Sequence, residues 1–243
     1  MSSVDIRGMF AGMPGAHGII EAALNGQGRV MTDDAERPSS AAVLAGDFLF
    51  FGGEPSEELV RRALNAENRA WIVQGSGAFL SLVQAQRSGT WSERIAFDPC
   101  RQPEDAHLTA LLANLPQGVT LVPIGAAEMA FCRKNSWAED FVSQFTEDEY
   151  ARSGLGVLVC ADGAFVSGAS SYAAYPGGIE VEVDTAPAHR GHGYATLAAA
   201  KLILTAHQQG KIATWDAANE TSAHIAQKLG YRVTCAYQVF TTV

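Results

Sequence analysis

The chain has no CxxC pair and no Cys/His cluster. Its four cysteines, Cys100, Cys132, Cys160 and Cys235, stand far apart. That spacing offers neither a zinc-site pattern nor a disulfide framework, so no metal site is expected and the thiols read as reduced, as in a cytoplasmic protein. Cys160 and Cys235 fall in expected strands and read as core residues rather than nucleophiles. Long apolar runs are also missing: residues 194–203 and 154–160 fall well short of the roughly 20 residues of a membrane span. Residues 1–9 carry Asp5 and Arg7 but no basic stretch leading into an apolar one, so no secretory signal is expected. Basic runs are absent, Arg61-Arg62 being an isolated pair. With 17 Lys+Arg against 26 Asp+Glu the formal charge is −9. Such a surface repels phosphate backbones and argues against nucleic-acid binding, while it suits a cationic substrate such as an amine as well as it suits simple solubility.

What is present falls into two parts. The first is weakly patterned. Residues 21–25 suggest the end of a short helix. An apolar run over 41–51 ends in Phe48-Leu49-Phe50-Phe51 and is closed by Gly52-Gly53. Pro55-Ser56-Glu57-Glu58 opens a helix whose apolar face is Leu59, Val60, Ala63 and Leu64. A strand over 70–73 and a helix over 105–115 follow. Pro116-Gln117-Gly118 marks the expected boundary between a domain 1–118 and a domain 119–243. Beyond it the pattern predicts a strand at 119–124, helices at 126–134 and 137–145, and a strand at 154–160. Asp162-Gly163 predicts a tight hairpin to a strand at 164–175. Residues 179–185, Ile-Glu-Val-Glu-Val-Asp-Thr, alternate with period two. A helix over 194–209, a strand over 212–216, a helix over 219–229 stopped by Gly230, and a strand over 231–242 complete the chain. The expected class is α+β: a mixed, mostly antiparallel sheet flanked by helices, preceded by a smaller, less regular α/β domain.

Between the alternating strand and the Ala-rich helix lies His189-Arg190-Gly191-His192-Gly193-Tyr194-Ala195. Glycines let the backbone turn tightly and approach a ligand. The following helix leaves its first N–H groups unpaired and concentrates partial positive charge there. A pyrophosphate suits both features, and Arg190 adds a fixed charge. The loop alone leaves the ligand open among phosphate-bearing molecules. Thr196 stands where a dinucleotide fingerprint would have its third glycine, and the Gly-Lys-Ser/Thr of a Walker loop is absent.

Arg190-x-x-Gly193-x-Ala195, placed after a strand and opening a helix, resembles the Arg/Gln-x-x-Gly-x-Gly/Ala signature of the GNAT superfamily of N-acetyltransferases. Asn219-Glu-Thr-Ser222 and Lys228-Leu-Gly-Tyr231 look like that superfamily's downstream segment. Residues 179–185, 190–196 and Trp215-Asp-Ala-Ala-Asn219 together resemble a branch that includes zwittermicin-A-resistance-type acetyltransferases. The resemblance covers about residues 119–243 firmly and 1–118 faintly, which leaves the first domain as a degenerate GNAT-like, substrate-side unit.

The resemblance implies an acyl-CoA-dependent N-acyltransferase, with acetyl-CoA as cosubstrate, the primary amine of a small molecule as acceptor, and a homodimer among the compatible assemblies. Backbone groups of Val183, Asp184 and Thr185 would pair with the pantetheine arm. Arg190, Gly191, His192, Gly193, Tyr194, Ala195 and Thr196 would hold the pyrophosphate, and Asn219 the lower CoA arm. Asn219 reads equally as a helix N-cap. Glu180, Glu182 and Asp184 share one face of the alternating strand. Either that face is solvated, or it lines the substrate cleft and supplies the general base, with Glu182 first and Glu180 second. Trp215 reads as core or cleft wall, and Asp216 as a partner of loop amides or of a substrate amine. The Tyr that serves many GNAT enzymes as the acid for the departing thiolate falls at Ala226, so a non-catalytic acyl-CoA- or ligand-sensing protein is the alternative reading. Tyr237 and His224 are the possible stand-ins for that acid.

Overall fold

The computed structural model describes residues 6–243, so residues 1–5 of the segment 1–9, Asp5 among them, lie outside the described residues. Two compact units emerge, Met1–Arg94 with Ala236–Val243, and Ile95–Cys235.

The first unit contains α1 (His17–Leu24), β1 (Arg29–Thr32), β2 (Ser40–Ala45), β3 (Phe48–Gly53), α2 (Glu57–Leu64), β4 (Ile72–Gln74), α3 (Gly77–Gln84) and the start of β5 (Gly89–Phe97). The apolar run over 41–51 is not one strand but the hairpin β2–β3, because Gly46 at φ +56° turns the chain in its middle. β4 joins β3 in parallel, as the intervening helix α2 requires. Ser56 caps α2 by accepting the Leu59 N–H at 3.2 Å, and Leu59, Val60, Ala63 and Leu64 are buried on one face as their spacing predicts. Those four pack with Leu49, Phe51, Trp71 and Phe79 in the unit's core.

The second unit continues with α4 (Asp105–Leu112), β6 (Val119–Pro123), α5 (Ala126–Cys132), α6 (Glu147–Ser153), β7 (Gly156–Ala161), β8 (Ala164–Tyr175), β9 (Gly178–Thr185), α7 (Tyr194–Gln208), β10 (Ile212–Thr214), β11 (Asp216–Ala217), α8 (Glu220–Leu229) and the start of β12 (Val233–Thr242). Its sheet runs β10-β9-β8-β7-β6, antiparallel throughout except where β10 joins β9 in parallel. Helix α7 packs across β7, β8 and β9. Asp162 at φ +49° and Gly163 at φ +84° make the β7–β8 turn that their dipeptide signals. The α+β class, with mostly antiparallel sheets flanked by helices, is the one the pattern predicts.

Three further expectations are corrected. Residues 137–145 do not form a regular helix. Only a 3-10 turn, Glu139–Phe141, appears, because the Ser170 hydroxyl takes the Phe141 carbonyl at 2.7 Å and the Phe145 N–H turns to Val142 at 3.2 Å. The regular helix forms one step later, where Thr146 and Glu149 make a capping box. The single strand expected over 212–216 is broken at Trp215, since β11 pairs with β5, Asp216 opposite Ala96. Finally, Cys235 is exposed and Cys160 half-buried, whereas Cys132 is the buried thiol. Among the described residues no helix is long and apolar enough to cross a membrane.

Candidate functional site

The site begins with the way β9 loses a neighbour. Its ladder with β10 pairs Gly178, Ile179 and Glu180 with Ile212, Ala213 and Thr214, and ends there. After Thr214 the chain leaves for β11. Five more residues of β9, 181–185, continue beside β8 with no strand on their other edge among the described residues. A bulge in β8 between Ser171 and Ala173 lies opposite Val181 and Glu180, at the level where the strands part, and bends the pair.

Hydrogen-bond parity says which groups face the open edge. The Ala186 N–H goes to the Val166 carbonyl at 2.8 Å, so the even residues Glu182 and Asp184 direct their backbone toward β8. The backbone N–H and C=O of Val183 and Thr185 therefore point toward the open edge. Side chains of β9 and of the loop that follows it meet three of these groups. Glu182 Oε1 accepts the Val183 N–H at 3.1 Å, Asp184 Oδ1 accepts the Thr185 N–H at 2.6 Å, and Arg190 Nε donates to the Thr185 carbonyl at 3.2 Å.

The side chains of β9 separate by face. Ile179, Val181 and Val183 join the core under α7. The opposite face carries Glu180, Glu182 and Asp184, and it is not simply solvated: Glu180 is only 4% exposed, and the other two are half-buried. Across this face Ser170, opposite Glu182, bonds the Tyr150 hydroxyl at 2.8 Å. The Thr214 hydroxyl donates to the Glu180 carboxyl and lies 3.0 Å from the Ile179 carbonyl. Tyr231 is buried against Trp215 and donates to the Ala213 carbonyl at 2.7 Å. Burial first, and the nearby Glu180 charge second, hold its hydroxyl well above the ordinary phenol range.

At the end of β9 a short 3-10 turn, Pro187–His189, leads into the glycine loop. Gly191 at φ +84° and Gly193 at φ +78° hold a left-handed backbone with open space where a Cβ would stand. Gly193 is the N-cap of the 15-residue α7, and no side chain caps that end. Exposed backbone donors, an uncapped helix dipole and the outward edge of β9 thus meet at one place, which fits a long ligand carrying an anionic group at one end and an amide-bearing arm at the other. Arg190, 63% exposed, lies 3.4 Å from Asp184. The His192 ring stacks on Tyr194, with centroids 5.5 Å apart.

Val183, Asp184 and Thr185 therefore lie beside residues 190–196, joined to them through the contacts of Arg190 with Thr185 and Asp184. Asn219 is a cap: its side chain accepts the Ser222 N–H at 2.9 Å at the start of α8. Trp215 is buried and donates to Ser222 Oγ at 3.1 Å. Ala226 is fully buried in the core, and His224 is exposed on α8. Sequence reasoning missed Thr214 and the Tyr150–Ser170 pair. Thr214 shows only as a polar residue in an otherwise apolar strand, and its partner is set by strand register. Tyr150, in a polar helix, and Ser170, beside a second serine, carry no local signal for their pairing.

The chain matches the GNAT acetyltransferase family over residues 8–240. Among solved structures it is similar to a GCN5-related N-acetyltransferase-like protein from Streptococcus suis 89/1591, with 32% identity over 98% of this chain and 97% of that chain and a TM-score of 0.87. It also shares its fold with a GCN5-related N-acetyltransferase from Kribbella flavida (22% identity, 95% of this chain, 96% of that chain, TM-score 0.63). A tandem GNAT protein from the clavulanic acid biosynthesis pathway shares the fold as well (17% identity, 86% of this chain, 80% of that chain, TM-score 0.54). No curated protein matches.

Proposed function

The chain belongs to the GNAT acetyltransferase family, and from that premise we propose that it transfers acetyl from acetyl-CoA to the primary amine of a small molecule. One observation carries the reading: the β9–β10 ladder stops at Glu180, and the strand edge left open runs directly into the glycine loop and the uncapped end of α7.

In this proposal the backbone of residues 183–185 receives the pantetheine arm as an added strand would be received. The N–H groups of residues 190–196, with Arg190, receive the pyrophosphate, and Asn219 borders the lower arm while it caps α8. Acetyl-CoA supplies the activated acyl group. Glu182, half-buried on the face away from α7, takes a proton from the acceptor ammonium; the freed amine nitrogen bonds the thioester carbon, the C–S bond breaks, and the departing thiolate takes the second N–H proton and leaves as CoA thiol. Glu180 is the second candidate for that base, deeper at the point where the strands part. A formal charge of −9 and the acidic face favour a cationic acceptor. The division into a substrate-side, degenerate GNAT-like domain 1–118 and an acyl-CoA-binding domain 119–243, kinship with zwittermicin-A-resistance-type enzymes, a homodimer and a cytoplasmic location belong to the same proposal.

A second reading, an acyl-CoA or ligand sensor without turnover, is favoured by one feature. Ala226, the position at which the resemblance would place the acid Tyr of many GNAT enzymes, offers no proton donor and is fully buried. Calorimetry with CoA, followed by thiol release from acetyl-CoA across a panel of amines, separates the two. Binding with release supports transfer. Binding without release over a broad panel supports the sensor, and displacement of CoA by ATP or NAD would point to a general nucleotide site instead.

A further inference from the structure

We propose that Asp184 and Arg190 form a displaceable clasp over the open edge of β9 at Thr185, and that this clasp sets the affinity for acyl-CoA. The inference rests on the acyl-CoA reading above and adds a residue-specific control to it.

Thr185 offers both of its backbone groups outward, and both are taken. Asp184 Oδ1 holds the N–H at 2.6 Å, and Arg190 Nε holds the carbonyl at 3.2 Å. The two side chains also meet each other at 3.4 Å, which closes a ring around one peptide position. Glu182 repeats half of the pattern one step earlier, on the Val183 N–H. A bare strand edge is a template for pairing with any extended chain, and side chains folded back along it protect it. The same side chains occupy the groups that an amide-bearing arm would use. An arm pairing at Thr185 must therefore take the N–H from Asp184 and the carbonyl from Arg190.

The clasp is built to open. Asp184 is 40% exposed and Arg190 is 63% exposed, so water screens their pair and replaces it readily. Arg190 also starts the loop that receives phosphate, and a phosphate is a stronger partner for a guanidinium than a half-solvated carboxylate. Arg190 thus passes from Asp184 to the ligand. Asp184 has no such exchange to make. Its carboxylate is left beside an incoming anion, and this repulsion holds the affinity down.

The test is calorimetry of CoA binding to the full chain and to three variants, with hydrogen exchange at the Thr185 amide as a second readout. Asp184→Asn keeps an oxygen for the Thr185 N–H and removes the charge. It is expected to bind CoA on the order of tenfold more tightly, a change of about 1.4 kcal/mol. Asp184→Ala is expected to bind at least as tightly and to speed exchange of the Thr185 amide before CoA is added. Arg190→Ala is expected to bind more weakly. An unchanged or weaker affinity in Asp184→Asn, with CoA binding intact in the wild type, overturns the clasp and leaves the functional reading standing. No CoA binding by the wild type brings down both. Thermal melts of each variant report whether the edge has kept its fold.

Discussion

Thr214 and Glu180 form the last rung between β10 and β9, and the Thr214 hydroxyl donates to the Glu180 carboxyl across it. The rung does two things at once. It satisfies a carboxyl that the sheet buries, and it fixes the point beyond which β9 has an open edge. Thr214→Val keeps the shape and removes the donor. A buried carboxyl that loses one of its donors costs up to about 1–3 kcal/mol, so the denaturant midpoint should fall with little change in slope. An unchanged midpoint would mean that the carboxyl does not depend on this hydroxyl.

Glu182→Gln isolates the base. The amide oxygen can still accept the Val183 N–H, so the edge of β9 should keep its geometry. The group that takes the amine proton is gone. A positioned general base contributes typically about 10²–10⁴ in rate, so kcat should drop by that order while CoA affinity stays within about twofold. If kcat falls less than tenfold, the proton goes elsewhere, and Glu180→Gln becomes the decisive variant.

Much of this site was legible in the chain, and the reasons differ by residue. The alternation over 179–185 and the loop at 189–195 are local patterns, and local patterns survive folding because strand pleat and helix capping act over a few residues. The parting of β9 and β10 was legible only through the family resemblance, which has the strand ending at this loop splay from its neighbour, and not from any residue pattern. It depends on Asp216 pairing with Ala96, a partner distant in sequence that leaves no mark near Trp215. The burial of Glu180 was hidden for a related reason. Alternation tells which residues share a face and not how deeply that face is covered. Residues 137–145 misled because Trp137, Phe141 and Phe145 have helical spacing, yet the Phe141 carbonyl is claimed by Ser170 on β8. In the first unit, Gly46 was the one residue that could have divided the run over 41–51 into two strands.

Gly193→Ala tests the loop. The backbone there is left-handed, at φ +78°, but a Cβ would meet nothing within 4 Å. The cost is conformational, about 1–2 kcal/mol for a residue with a Cβ. Part of that strain can be relieved by a change at the start of α7, which would misdirect the exposed N–H groups. A modest fall in melting temperature together with roughly tenfold weaker CoA binding is expected. Gly210→Ala is the control. It has φ +70° and equally open space just past the other end of α7. It should lose similar stability and leave CoA binding unchanged.

The thiols give a prediction about pH. Cys132 is fully buried, and burial pushes its thiol up to about 11. The Tyr150 hydroxyl is raised as well, by burial first, against the lowering effect of its bond to Ser170. In the unfolded chain a thiol loses its proton near about 8.5 and a phenol near about 10. Between those values and the raised native ones, the unfolded state holds fewer protons than the folded state, so stability falls as pH rises. Stability from these groups is complete below about pH 8.5, and the Cys132 contribution is lost by about pH 11. The denaturant midpoint should decline across that window, and less steeply in Cys132→Ala. A thiol dye at neutral pH should label the exposed Cys100 and Cys235 in the native protein, but Cys132 only in step with global unfolding. Thiol release from acetyl-CoA is read with the same dye. The two exposed cysteines therefore set its background, and a Cys100→Ser, Cys235→Ser protein should remove that background without altering turnover. Rapid native labelling of Cys132 would show that α5 opens locally, and the alkaline decline would then belong to that opening rather than to global unfolding.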